Sequence, residues 1–170
     1  MTNIQMANLA AIIANRGYYY PPHLVSEIKD FEGNTIEKKK YKSKKVGVDA
    51  IHFNPIVEGM QRAVTSGTAT AAFIWDLPIC GKTGTAENSQ GNKKDHSIFF
   101  AFAPKENPKI AIVVYVENAG FGGTYAVPIA SLLIEKYIKG EISPYRKYLE
   151  TRMLNANLLP KVVPPLPSNE

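Results

Sequence analysis

The 170 residues are 45% hydrophobic and carry 20 Lys and Arg against 15 Asp and Glu, a formal charge of +5. That balance is globular rather than disordered, and the length suffices for one domain with a respectable core. No apolar run reaches the length of a membrane span, the first residues lack the regions of a signal peptide, and the single cysteine, Cys80, excludes an internal disulfide.

Thr2 and Gln5 stand at capping-box spacing, so the chain opens on a helix. Leu9, Ile12 and Ile13, with Ala7, Ala10, Ala11 and Ala14, give it an apolar face of small residues. Asn15-Arg16-Gly17 stops it, with Gly17 suited to a left-handed cap. After Tyr18-Tyr19-Tyr20 and Pro21-Pro22, residues 23–31 read as extended. Glu32-Gly33-Asn34-Thr35 is a turn signal, and residues 36–46 return as a polar strand or loop. This hairpin, about residues 23–50, is expected at the periphery.

A second helix is predicted over residues 54–66, with Pro55 in its first position and Ile56, Val57, Met60 and Val64 on one face. Gly67 ends it, and residues 68–72 read as irregular. Three strands follow, over residues 79–87, 98–103 and 110–117, joined by short connections that favour antiparallel neighbours. A last long helix opens at Gly123-Thr124 and runs to about Tyr137, with Pro128 in its first turn. From Ser143-Pro144 the composition changes. Residues 145–157 fit a short helix, and residues 159–170, with four prolines, read as a tail. The order indicates an α+β protein with helices packed on an antiparallel sheet.

The charge is concentrated in Lys38, Lys39, Lys40, Lys42, Lys44 and Lys45. With only Tyr41 interleaved, the run reads as a solvated loop rather than a nucleic-acid surface, so no nucleic acid is expected as a partner. Cys80 sits in an apolar run and reads as a small core residue. His23, His52 and His96 lack metal-ligand spacing, so neither a metal nor another cofactor is implied. His96 reads as a histidine satisfied at a strand start.

The densest signal is Cys80-Gly81-Lys82-Thr83-Gly84-Thr85-Ala86-Glu87. It is not a phosphate-binding loop, because Asp76 stands where the first glycine of that motif belongs and a strand precedes the lysine. Alternation along a strand sends Thr83 and Thr85 to one face and Lys82 to the other or to the rim. Two hydroxyls beside an ammonium suit a carboxylate, Gly84 allows close approach to the backbone, and an open strand edge can pair with an extended peptide. Gly120-Phe121-Gly122-Gly123-Thr124-Tyr125 has Tyr125 where a dinucleotide fingerprint needs its third glycine.

Further blocks flank the Lys-Thr-Gly run in order. They are Gly67-Thr68-Ala69, His96 to Pro104, Pro108 to Val114, Val116 to Gly123 and Ala126 to Ala130, with Thr2 to Ala7, Ala14 to Gly17 and Pro22 to Val25 upstream. With these the chain resembles the class B penicillin-binding proteins, most closely those of the penicillin-binding protein 2 type, over about residues 1–140. The resemblance implies the C-terminal portion of the transpeptidase fold over residues 1–142, with residues 143–170 as a short helix and tail. It implies a peptidoglycan D,D-transpeptidase in which a serine attacks a D-alanyl-D-alanine carbonyl and a stem-peptide amine takes the acyl group. It also implies acylation by β-lactams, elongation-associated membrane proteins as partners, and a place at the periplasmic face of the inner membrane. Lys82 would shape the field and proton network. Thr83 and Thr85 would hold the substrate carboxylate, and the Thr85 N–H would supply one oxyanion donor.

The family's Ser-x-x-Lys and Ser-x-Asn motifs have no counterpart in place here. Ser26-Glu27-Ile28-Lys29 has the first spacing, but in an extended segment that separates the two side chains. The chain alone is therefore expected to lack a nucleophile and to be inactive. Another serine acyltransferase of the superfamily, such as a β-lactamase, and a non-catalytic binding or sensor module are the alternatives. A sheet without its further strands is expected to associate.

Overall fold

A computed structural model describes residues 1–88 and 93–159. Thr2 Oγ1 accepts from the Gln5 N–H at 3.4 Å, and Gln5 Oε1 accepts from the Thr2 N–H at 2.8 Å. This reciprocal pair starts helix α1 (Asn3–Ala14), which buries Ala10, Ile13 and Ala14. Arg16 and Gly17 then take φ of 56° and 108°, and the Gly17 N–H returns to the Ile12 carbonyl at 2.9 Å.

The next segment holds β1 (Tyr18–Tyr19), β2 (Glu27–Lys29), β3 (Thr35–Lys38) and β4 (Lys44–Lys45). β2 and β3 form the expected exposed hairpin, in which Asp30 Oδ1 accepts from the Glu32 and Asn34 N–H groups at 3.0 and 2.8 Å. The return over residues 36–46 is split, however. Its end, β4, pairs with β1 instead. A run of lysines has no apolar face to hold it against β2. Between β3 and β4 the chain is pinned by Tyr41, whose ring stacks on His23 at 3.6 Å and whose hydroxyl donates to the Val25 carbonyl at 2.7 Å.

Helix α2 (Phe53–Thr65) begins earlier than its sequence suggests, after a 3₁₀ turn over Ala50–His52, so Pro55 is its third residue. Phe53, Val57, Met60 and Val64 form its buried face, at i, i+4, i+7 and i+11. Phe53 displaces Ile56, which points outward at 47% exposure.

Strands β5 (Cys80–Ala86), β6 (His96–Ala103) and β7 (Ile110–Val116) make one antiparallel sheet in the order β5-β6-β7. Its register pairs Thr83 with Phe99 and Thr85 with Ser97. Alternation separates two cores. Phe100 and Phe102 of β6 face Ile13, Phe53, Val57 and Met60, so α1 and α2 cover one face together with Cys80. Phe99, Ala101 and Ala103 face Val127, Ala130 and Ile134 of helix α3 (Ala126–Lys139) on the other. Phe99 and Phe102 are wholly buried, and each such ring contributes about 1.5–3 kcal/mol relative to exposure.

Gly140, with φ 85°, ends α3. A 3₁₀ turn at Pro144–Arg146 leads into helix α4 (Lys147–Leu154), shorter than the expected 145–157. Leu149 packs against Leu132 and Ile142. The proline-rich tail lies, from residue 160 on, outside the described residues. Among the described residues no helix is long and apolar enough to cross a membrane.

Candidate active site

β5 is an edge strand, and among the described residues no strand pairs with its outer side. Thr83 and Thr85 fall on the α3 face because they pair with Phe99 and Ser97. Lys82 starts from the opposite face, but its Nζ curls to the rim and donates to the Thr83 carbonyl at 2.7 Å. Lys82, Thr83, Gly84 and Thr85 thus converge on one cavity of about 480 Å³. The opposite wall comes from Thr68, Phe121, Gly122 and Gly123.

Thr68 lines the same cavity, a placement that the sequence did not announce. Its Oγ1 lies 2.8 Å from Thr83 Oγ1, across fifteen residues of chain. The Gly67-Thr68-Ala69 block marks the place. Only the return of the chain after α2 brings it to β5. Two hydroxyls in contact leave a hydrogen available to donate outward, which suits an anionic oxygen beside the Lys82 ammonium.

Glycines set how closely the wall approaches. A Cβ on Gly122 would fall 2.6 Å from both the Gly84 and Ile98 carbonyl oxygens and 3.2 Å from Thr83 Cβ. A Cβ on Gly81 would meet the Phe99 ring at 2.2 Å. At Gly84 a Cβ would make ordinary contact with Ile98 at 3.5 Å, so within the chain the close approach to the strand is made at Gly122.

Ser97, wholly buried, ties the wall to the sheet. Its Oγ lies 3.0 Å from the Phe121 carbonyl and 3.2 Å from the Gly122 carbonyl, and accepts from the Ala126 N–H at 3.2 Å. His96 does start β6. Its Nδ1 accepts from the Asn118 N–H at 3.1 Å, and its ring tilts against Tyr115 at 5.3 Å. Asn88 adds a bond from Nδ2 to Asn118 Oδ1 at 2.6 Å, closing the end of the sheet next to the cavity. Cys80 begins β5 from inside the core, where burial pushes its thiol up to about 11.

Ser26 precedes β2 in an exposed, non-helical segment, and Lys29 pairs with Glu27 at 2.9 Å. The helix turn that would set a lysine beside a serine nucleophile is absent there.

Residues 1–135 match the penicillin-binding protein transpeptidase domain. The chain is 31% identical over 168 residues to the peptidoglycan D,D-transpeptidase MrdA of Haemophilus influenzae, covering 86% of this chain and 25% of that protein. Among solved structures, penicillin-binding protein A of M. tuberculosis as its imipenem acyl-enzyme superposes with a TM-score of 0.72. That match is 32% identical and covers 81% of this chain and 31% of the other. The PBP2 of Pseudomonas aeruginosa gives 0.66 at 30% identity, covering 85% and 32%. The chain therefore spans about a quarter of the MrdA protein, and it carries the Lys-Thr-Gly strand together with the wall that faces it. The chain belongs to the penicillin-binding protein transpeptidase family.

Proposed function

We propose that this chain supplies the Lys-Thr-Gly side of a peptidoglycan D,D-transpeptidase site, and that the serine nucleophile comes from polypeptide outside these 170 residues. The observation that carries this reading is the convergence of Lys82, Thr83, Thr85 and Thr68 on one cavity beside an open strand edge. Within it, residues 1–142 are the C-terminal part of the transpeptidase domain, with the hairpin near 23–50 inserted and residues 143–170 appended.

In this reading the peptide lies along β5 with its terminal carboxylate at the Thr83 and Thr85 hydroxyls. Lys82 holds the local field positive. The Thr85 N–H donates to the carbonyl oxygen as serine attack makes it an oxyanion. The bond to the terminal D-alanine breaks, that residue leaves as the amine, and a second stem-peptide amine takes the acyl group. β-Lactams enter the same cavity and acylate the same serine. The whole protein works anchored in the membrane, with this domain on the cell-wall side, alongside membrane proteins of cell elongation.

The test is covalent labelling by a fluorescent penicillin, of the longer protein and of the 170 residues alone. Thr83→Val and Thr85→Val should each slow acylation of the longer protein about 10- to 100-fold, the worth of a hydrogen bond to a charged group. The 170 residues alone should remain unlabelled. Labelling of the short chain, or acylation of both variants at the unaltered rate, would overturn the proposal.

A further inference from the structure

The loop that walls the cavity opposite Thr83 is tied down by three consecutive residues where β6 begins. The Asp95 carbonyl accepts from the Gly120 N–H at 2.7 Å, and His96 Nδ1 accepts from the Asn118 N–H at 3.1 Å. Ser97 Oγ lies 3.0 and 3.2 Å from the Phe121 and Gly122 carbonyls. Phe121, Gly122 and Gly123 then line the cavity together with Thr83. Asn118 starts this loop in the left-handed region, at φ 56°, which residues other than glycine seldom adopt. Its Oδ1 accepts from Asn88 Nδ2 at 2.6 Å, so backbone and side chain are both held.

The three ties differ in chemistry. A carbonyl and a hydroxyl neither gain nor lose a proton across the physiological range, whereas an imidazole does. His96 Nδ1 accepts only while the ring is neutral with its proton on Nε2. A second proton turns Nδ1 into a donor that faces another donor, the Asn118 N–H. Among the described residues, the ionisable groups around the ring come from each neighbouring segment. Lys93, Lys94 and Asp95 precede it, Glu87 follows its β5 partner Ala86, and Tyr115 and Glu117 flank the end of β7. Asp95 Oδ1 accepts from the Asn88 N–H at 3.1 Å, while Lys93, Lys94, Glu87 and Glu117 are exposed to solvent. Carboxyl, ammonium and phenol groups ordinarily titrate outside the window in which imidazole changes charge.

We propose that His96 is a positioning residue for the reaction at this cavity: its neutral ring fixes Asn118 and the wall that follows, and protonation of the ring releases that wall, so that acid slows acylation. The proposal rests on the transpeptidase reading for the reaction concerned. His96 is not among the residues that line the cavity and acts through Asn118.

The experiment measures acylation by a fluorescent penicillin in the longer protein that contains this chain, at about pH 7.5 and about pH 5.5, on either side of the imidazole transition. Each variant is read as a ratio to the unaltered protein at the same pH, which cancels the titration of groups they share. His96→Asn sets an amide oxygen near the place of Nδ1, and that oxygen takes no proton in this window. It should match the unaltered protein within about twofold at the higher pH and exceed it about two- to tenfold at the lower, the worth of one hydrogen bond. His96→Phe, with a ring but no acceptor, should be about two- to tenfold slower at the higher pH and level with the unaltered protein at the lower. In the unaltered protein labelled with isotopic histidine, the ring nitrogen signals should show Nδ1 without a proton at the higher pH, a readout that needs no variant. A His96→Asn ratio that does not change with pH, His96→Phe as fast as the unaltered protein at the higher pH, or a proton on Nδ1 of the neutral ring would each overturn the positioning role alone. An unaltered protein that penicillin does not label at either pH would overturn the transpeptidase reading and this role with it.

Discussion

Gly122 decides how the cavity closes. It places backbone where a Cβ would collide with two carbonyl oxygens, and backbone oxygens cannot swing aside as a flexible side chain can. Gly122→Ala should therefore lift the 120–123 loop from β5, slow penicillin acylation in the longer protein, and lower stability by about 1–3 kcal/mol, the usual cost of overpacking. Matched acylation rates and melting curves would show that the loop yields freely. The placement of Lys82, Thr83 and Thr85 along one strand was legible because strand alternation and a short motif lie within one segment. Thr68, Gly122 and Ser97 were not. Their roles arise from pairings of residues fifteen to forty positions apart, such as the Thr68 and Thr83 hydroxyls, and no local pattern encodes those.

At the scale of elements, capping chemistry and apolar periodicity identified α1, α2, the three main strands and α3, because those signals are local. What periodicity did not reveal is how α3 holds the segment that follows it. Glu135 on α3 is wholly buried and Arg146 almost so. Arg146 Nε lies 3.1 Å from Glu135 Oε2, its Nη2 donates to Ser131 Oγ at 2.6 Å, and its Nη1 donates to the Phe73 carbonyl at 3.1 Å. Ser143 Oγ donates to Glu135 Oε1 at 2.6 Å. In sequence a lone Glu and a lone Arg read as surface residues. Removing Arg146 leaves the buried Glu135 with only the Lys139 ammonium, 3.9 Å away, as a counter-charge among the described residues, so Arg146→Met should cost about 3–5 kcal/mol in denaturant unfolding. The double variant with Glu135→Leu should recover much of that loss. A double variant no more stable than the single one would show that the pair's hydrogen bonds, rather than its charges, carry the segment.

Among the described residues the main sheet has helices on both faces and two unpaired flanks. β5 is one edge strand and β7 the other, and no residue of β7 is buried. The 170 residues alone should thus self-associate with rising concentration, as sedimentation would register. A monomer that stays monodisperse and melts cooperatively would count against this. The fold class followed from the order of elements. The split of the lysine-rich return into two pairings did not, since so polar a run carries no period to read.

Cys80 gives the protein a stopwatch. It is the sole thiol in the chain, it lies between α2 and the sheet at the root of the strand that carries Lys82, and burial holds it protonated. A disulfide reagent can reach it only when α2 and β5 part. Exchange should be slow in the native protein and rapid in denaturant, and its rate should track the opening of the strand on which the cavity is built. Thiol exchange as fast in the folded as in the unfolded chain would mean that this strand is already open to solvent.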